Sequence, residues 1–376
     1  MDDIKKAATQ QEIIIEAKKR LSPAVWDFLS GGGESETTLK RNRYALDTIA
    51  FRPRVLIDVA TPDATSTFMG HKLRIPVICA PIGSLHMMDP GGNLPVMKAM
   101  ETFGSMATIS IMSNPRLEEC AASVEGPKMF QLYVRGDMDW VERTLDRVVA
   151  AGFDALVITA DVAHYGRRER DQYNRFNRRS FVQRANLEGI DPDAEWKFRS
   201  SLTWDFVEHC KKYSGLPVIV KGIATKEDAQ IAIDRGVDVL WVSNHGGRQL
   251  DHGRGAIEAL EEVASVAKGK KEIIVDGAFV RGSDMIKALA LGATTIAVGK
   301  LQGWALAAGG EEGLVRAFEI LEAEITVTMG LLGINNLSEL TPEYLHRGAM
   351  PMNPPTPWSP FPVVTEAFER WDKGTY

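Results

Sequence analysis

From about residue 75 onward, eight short apolar, β-branched runs recur, and each is followed by an amphipathic stretch of helical period. The runs cover 75–80, 106–110, 128–134, 155–160, 217–220, 237–242, 272–275 and 294–298. Strands that read as continuous Val, Ile and Leu must be covered on both faces, and strands that alternate with helices pack as a parallel sheet. Eight such units predict an α/β chain folded as a closed (β/α)8 barrel, a TIM barrel, whose chemistry sits at the C-terminal ends of the strands. A doubly wound open sheet would also alternate, but it does not require eight strands, and no Gly-x-Gly-x-x-Gly follows the first run.

The remaining segments are read around that barrel as one domain, 1–376. Residues 1–74 form a cap, with a helical stretch over 11–29 broken at Pro23 and stopped by Gly31, Gly32 and Gly33. An extended portion is expected from there through Arg52, Pro53 and Arg54. The insert 166–201 is long, charged and weakly periodic, which suits either a mobile lid or a loop ordered only by ligand. After Met350 come six prolines, Pro351, Pro354, Pro355, Pro357, Pro360 and Pro362. The tail 350–376 is therefore expected to be extended rather than helical, lying over its own barrel or a neighbouring subunit.

Composition narrows the function classes. A net charge of −6 argues against nucleic acid as the main partner. Cys79, Cys120 and Cys210 lack metal-ligand spacing and imply neither a disulfide framework nor a metal site, which fits a cytoplasmic protein. No apolar segment approaches the ~20 residues needed to span a bilayer, no signal-peptide pattern opens the chain, and Gly374-Thr375-Tyr376 does not read as a peroxisomal address. The insert is too charged to recommend membrane attachment.

Polar and ionisable residues cluster where the barrel rule puts chemistry. Gln131 and Tyr133 belong to the third run, Thr159 and Asp161 end the fourth, Lys221 the fifth, Asn244 and His245 the sixth, and Asp276 the seventh. The segment 243–251 reads Ser-Asn-His-Gly-Gly-Arg-Gln-Leu-Asp. It sets a base, His245, beside an anion binder, Arg248, as removal of a proton from a carboxylate-bearing substrate requires. Asp161 suits either a helix N-cap or a partner that orients the His245 ring; we favour the second. Lys221 would serve a phosphate, a flavin pyrimidine edge or a Schiff base. The loop 276–282 and Gly299-Lys300 occupy the positions where barrels commonly bind phosphate.

The motif at 243–251, together with Phe130-Gln131-Leu132-Tyr133-Val134, Gly166-Arg167-Arg168-Glu169, Val220-Lys221-Gly222 and Asp276-Gly277, resembles the FMN-dependent 2-hydroxy acid oxidases and dehydrogenases. Glycolate oxidase, lactate oxidase and mandelate dehydrogenase belong to that group. The resemblance runs from about residue 14 to about residue 333, and its motifs are long and specific.

It implies FMN as cofactor and oxidation of an L-2-hydroxy acid to the 2-oxo acid, with oxygen, a quinone or a carrier protein as the reoxidant. His245 would be the base and Asp161 its orienting partner. Arg248 and Arg168 would bind the substrate carboxylate and Tyr133 its hydroxyl, while Lys221 would face flavin N1 and O2. Ala80, Pro81, Gly83, Ser110, Gln131, Thr159, Ser243, Asp276, Gly277, Arg281, Gly299 and Lys300 would contact FMN. Family members are commonly tetramers or octamers, so a homo-oligomer is implied.

Departures from the pattern redirect the substrate reading. Phe28 stands where most members carry a tyrosine whose hydroxyl helps hold the carboxylate, a loss of ~1.5 to 3 kcal/mol if nothing replaces it. Met112 stands where glycolate oxidase has a pocket tryptophan. Val280 and Lys300 replace arginines of the phosphate loops, which leaves Arg281 or the backbone to compensate. Ile82-Gly83 replaces the Thr-Ala of the oxidases, and glycine there resembles the membrane dehydrogenases and lactate monooxygenase. The alternatives are the same flavin chemistry on a bulkier or amine-like substrate, or a flavin-free isomerase or lyase acting on a phosphorylated metabolite.

Overall fold

The computed structural model describes residues 3–176, 185–187, 199–351, 356 and 358–372. The cap opens with α1 (Gln10–Arg20), capped by Thr9 and Glu12, which each bond the other's backbone, and with α2 (Pro23–Ser30), whose N-cap is Ser22. The stretch read as extended holds a third helix, α3 (Thr37–Asp47). Its N-cap, Glu36, sits in the left-handed region at φ 61° and makes no side-chain cap bond, so the usual start signal is missing. Strand β1 (Ile49–Phe51) follows, then the hairpin β2 (Ser66–Phe68) and β3 (His71–Leu73).

The eight predicted runs are eight parallel strands: β4 (Val77–Cys79), β5 (Ala107–Ser110), β6 (Lys128–Leu132), β7 (Ala155–Thr159), β8 (Val218–Ile223), β9 (Val239–Val242), β10 (Glu272–Val275) and β11 (Thr295–Val298). They close in sequence order, with β11 pairing to β4 through Ile296–Val77 and Val298–Cys79. Inside the barrel Ile78, Met106, Met129, Val157, Ile219, Trp241 and Ile274 interdigitate. Phe68 and Leu73 of the hairpin join them and seal the N-terminal end, and Glu272 accepts from the Met69 N–H at 3.1 Å. The other end is left for the site, as the fold class demands.

One strand departs from regularity for a visible reason. The β8–β9 register shifts between Lys221 and Ile223, and Gly222 lies there at φ 111°. A Cβ on Gly222 would fall 2.7 Å from the Cβ of Asp161. Glycine is thus what lets β8 pass the carboxylate at the end of β7.

Helix α3 fastens the cap to the barrel rim. Thr38 N–H donates to Asp251 at 2.7 Å, and the amides of Asn42 and Asn244 exchange bonds of 3.0 and 2.7 Å. Buried Arg43 forks onto both oxygens of buried Asp284 at 2.9 and 2.8 Å. The Arg43–Asp284 pair also holds the loop after β10, because Asp284 accepts from the N–H groups of Val280 and Arg281. Removing one member of a buried pair strands the other charge in a dry site, at a cost of about 3 to 5 kcal/mol. Arg43→Leu is expected to lower stability by about that amount, read as the midpoint of denaturant unfolding; a change below about 1 kcal/mol would show the pair to be dispensable.

Strand β12 (Leu345–Arg347) pairs with β1, and the chain then returns to its own cap. The tail is not wholly extended: Pro362–Asp372 is a helix. The other five prolines precede it, and Pro362 occupies the first helical position, where a missing N–H costs nothing. Of the insert 166–201, the stretches 177–184 and 188–198 lie outside the described residues; before them Glu169–Tyr173 forms a short helix. Among the described residues no helix is long and apolar enough to cross a membrane.

Candidate active site

A cleft of about 1350 Å³, measured out to its open mouth, occupies the C-terminal end of the barrel. Its wall collects Phe28, Ala80, Pro81, Gly83, Met112, Tyr133, Arg168, Lys221, His245, Arg248, Asp276, Gly277, Gly299 and Lys300. These come from the cap and from most of the strand ends, so residues scattered over the sequence converge only because the barrel closes.

His245 sits at φ 60° in the turn after β9, and its backbone N–H donates to Ser243 Oγ at 3.0 Å. The turn aims the ring between two partners. Nδ1 lies 3.0 and 3.2 Å from the two oxygens of Asp161, and Nε2 lies 3.4 Å from the Tyr133 hydroxyl. A carboxylate on Nδ1 holds the proton there and leaves Nε2, the cleft-facing nitrogen, as the acceptor.

Burial pushes the His245 pKa below its ordinary 6.5, outweighing the opposite pull of Asp161, and the cations of Lys221 and Arg168 add to the lowering. Burial alone would raise Asp161, yet its contact with His245 and the charge of Lys221 bring it below the ordinary value. Burial and the Asp161 charge push the Tyr133 phenol well up, so it remains a hydrogen-bond donor at neutral pH. The imidazole is a working base only when neutral. The acid limb of kcat/KM is therefore expected below pH 6.5, which a pH–rate profile will check; a limb above 7 would contradict a base held neutral by burial. Stability carries the same sign for this group. Below 6.5 the unfolded chain takes up a proton that folded His245 resists, so the site costs stability as pH falls.

Beneath the cleft runs a polar floor. Ser110 Oγ donates to Gln131 Oε1 at 2.7 Å, and Gln131 Nε2 donates to Thr159 Oγ1 at 2.9 Å. Lys221 Nζ donates to Ser243 Oγ at 2.7 Å and lies 3.1 Å from Asp276 Oδ2. Asp276 also accepts from Ser243 Oγ and from the Trp241 indole, at 2.8 and 2.9 Å. Ser110, Gln131, Thr159 and Ser243 are thus just below the wall rather than on it.

Arg248 donates to the carbonyls of Leu29 and Gly31 at 3.3 and 3.0 Å, with its guanidinium 5.2 Å from the centre of the Phe28 ring. Phe28 therefore supports the anion binder from behind. Gly83 and Met112 are packed as a pair, since a Cβ on Gly83 would lie 2.9 Å from that of Met112.

At the far side Lys300 opens a helical stretch, Lys300–Leu332, broken by non-helical Gly309 and Gly310, and donates to the Gly246 carbonyl at 3.1 Å. Burial, reinforced by Arg248 and Arg168, drives its pKa well below 10.5. An anion would relieve that strain. Gly299, the N-cap, faces open space, with nothing within 4 Å of where a Cβ would project. A half-buried lysine, a helix N-terminus and room in front of both fit the phosphate of FMN, and Lys221 fits its pyrimidine edge.

Arg281 does not line the cleft. Its side chain turns to Glu324 at 2.6 Å and lies 5.2 Å from the Phe361 ring, away from the cleft. Glu324 also accepts from the Gly282 N–H, so the arginine's partner is fixed at the start of the helix Gly282–Ala290. Sequence reasoning missed several contributors. Arg135, Val162, Tyr165, Gln249 and Trp304 also line the cleft. Gln249 donates to the carbonyls of Asp161 and His164 at 3.1 and 2.9 Å and so pins the segment carrying the ring partner. Its place four residues after His245 was the one available signal.

The fold and site define a class: a (β/α)8 barrel with an aspartate-bound histidine, an arginine and two lysines gathered around one cleft at the C-terminal ends of its strands. A family model described as FMN-dependent dehydrogenase matches residues 17–347. Glycolate oxidase 1 of Oryza sativa subsp. indica is 37% identical over 354 residues, covering 91% of this chain and 96% of that protein. A soluble mutant of the membrane-associated (S)-mandelate dehydrogenase from Pseudomonas putida superposes with a TM-score of 0.84 at 33% identity, covering 90% of this chain and 99% of that one. A mandelate oxidase mutant with (S)-mandelic acid gives a TM-score of 0.84 at 34% identity, with 92% and 99% covered. The chain belongs to the FMN-dependent dehydrogenase family. It is an oxidoreductase that oxidises 2-hydroxy acids with FMN, and the flavin-free isomerase or lyase alternative falls away.

Proposed function

We propose that the substrate is a bulky, preferentially aromatic L-2-hydroxy acid, oxidised to its 2-oxo acid by one domain spanning the chain. The observation that supports this is the apolar chamber beside the polar pair: Phe28, Ile82, Met112, Val162 and Tyr165 line the same cleft as His245 and Arg248. A two-carbon acid would leave that surface without contacts, whereas a ring or branched chain would bury it at ~25 cal/mol per Å². The mandelate-binding relative points the same way.

In this reading Arg248 and Arg168 hold the carboxylate, and the Tyr133 hydroxyl meets the substrate hydroxyl. His245 Nε2 accepts one of the two hydrogens the substrate loses, as a proton, the other leaving with the electron pair, and Asp161 stabilises the imidazolium that results. Lys221 and Lys300 would hold FMN, which would supply the acceptor for the electron pair and the second hydrogen. The polar floor from Ser110 to Asp276 would orient it, and the apolar wall would limit water. Loss of a hydroxyl at Phe28 is offset by its stacking under Arg248.

Reoxidation by oxygen or by a quinone or carrier acceptor, assembly into a tetramer or octamer and a cytoplasmic location complete the proposal. All three cysteines are free and buried, which suits a reducing compartment. An anaerobic bleaching panel tests the substrate: aromatic acids should bleach the bound flavin at lower concentration than glycolate or lactate. Glycolate bleaching best would refute it. Peroxide formation in an oxygen electrode separates the acceptors, and light scattering gives the assembly.

A further inference from the structure

Three contacts join the C-terminal segment to the side of the cleft where Lys300 lies. Trp358 packs against Trp304, with centroids 5.2 Å apart and planes at 39°. Trp304 lines the cleft one helical turn after Lys300, so the two share a face of the same helix. Trp358 also stacks on Trp26 of α2, the helix that carries Phe28, at 5.3 Å and 15°. Next, Ser359 Oγ donates at 3.2 Å to Asp47, which lies 2.7 Å from Arg43. Arg43 in turn holds Asp284 and donates to the Ala278 carbonyl at 3.3 Å, and Ala278 is on the cleft wall. Finally, Phe361 is fully buried beneath the Arg281 guanidinium, next to Val280 of the same loop.

The segment is also anchored on its outer side. Phe368 meets Trp26 and Trp358 edge-on at 5.6 and 5.2 Å. Lys18 Nζ lies 4.6 Å over Trp26, and Val363 N–H donates to Gln11 at 2.7 Å. None of Trp358, Ser359 or Phe361 lines the cleft.

We propose that residues 358–372 form a strap that braces the phosphate end of the FMN site, with Trp358 and Phe361 as positioning residues acting through Trp304 and the 278–281 loop. Val280 and Ala278 offer that end no side-chain charge, so its affinity depends on how firmly Lys300 and the loop backbone are held. Aromatic packing of this geometry adds to the bonds that Asp284 and Glu324 already give the loop. The proposal rests on the placement of the phosphate beside Lys300.

The test uses the full-length protein stripped of FMN and measures FMN binding by the quenching of its fluorescence. Trp358→Ala and Phe361→Ala are each expected to weaken FMN by about tenfold, and Trp358→Phe to restore most of the affinity. A purely structural role would lower the melting temperature of the FMN-free and FMN-bound forms equally, whereas a brace shrinks the rise that FMN confers. If Trp358→Ala does not fold, Ser359→Ala and Phe361→Leu carry the same measurement. FMN affinity within twofold of wild type in the folded variants overturns the strap. Lys300→Met reports separately on the phosphate placement: unchanged affinity there refutes that placement, whatever the strap variants do.

Discussion

Replacing His245 by alanine should leave a yellow protein that substrate no longer bleaches. In the proposed arrangement the side chain would meet substrate through Nε2, which lies 3.4 Å from the Tyr133 hydroxyl, while Lys221, Lys300 and the polar floor would hold FMN without it. A positioned general base contributes about 10²- to 10⁴-fold, so the rate of flavin reduction should fall by that range with FMN affinity within a few fold of wild type. Stopped-flow bleaching under anaerobic conditions gives the rate, and titration of the FMN-free protein with FMN gives the affinity. Bleaching at the wild-type rate would remove the histidine from the chemistry. Loss of colour would instead mean that the turn around it is needed to form the site, which His245 N–H to Ser243 and the positive φ make a fair control to run with His245→Asn. Asparagine tolerates the left-handed region, so that variant preserves the turn while deleting the base.

Arg248→Met is the second large effect. The guanidinium reaches the cleft from a position fixed by the Leu29 and Gly31 carbonyls and by the Phe28 ring. A charge-assisted bond is worth about 1.5 to 3 kcal/mol, which corresponds to a KM increase of roughly 10- to 150-fold. An interaction made equally with bound substrate and transition state raises KM and leaves kcat, whereas one that tightens as charge develops lowers both kcat and kcat/KM. Because the proposed role places Arg248 at the end of the substrate that does not react, the KM effect should dominate in steady-state measurements. A fall in kcat with KM unchanged would move this arginine from carboxylate binding to charge stabilisation.

Much of this site could be read before any coordinates. The strand runs were legible because an all-buried parallel strand has nowhere to place a polar residue until it ends, so Asp161, Lys221, His245 and Asp276 marked their own positions. Helix α3 was not, because Glu36 enters it through a left-handed residue without a side-chain cap and its sequence is too polar to show a stripe. The helix 362–372 was hidden by the prolines before it, although the last of them sits at the one place a helix accepts it. Arg281 misled for a different reason. Neighbouring residues in a turn point apart, and whether Val280 or Arg281 faces the cleft depends on Glu324, more than forty residues on and on another helix. Arg135 and Trp304 carried no motif, and only the closure of the barrel brings them in.

The hairpin stopper has a kinetic consequence. With Phe68 and Leu73 filling the far end, incoming acid, departing keto acid and the electron acceptor must all pass the rim built by the His245 turn. Traffic through one doorway makes the departing product and the oxidant compete for the same path, so turnover at high substrate should slow through crowding at the entrance rather than through any change in the chemical step.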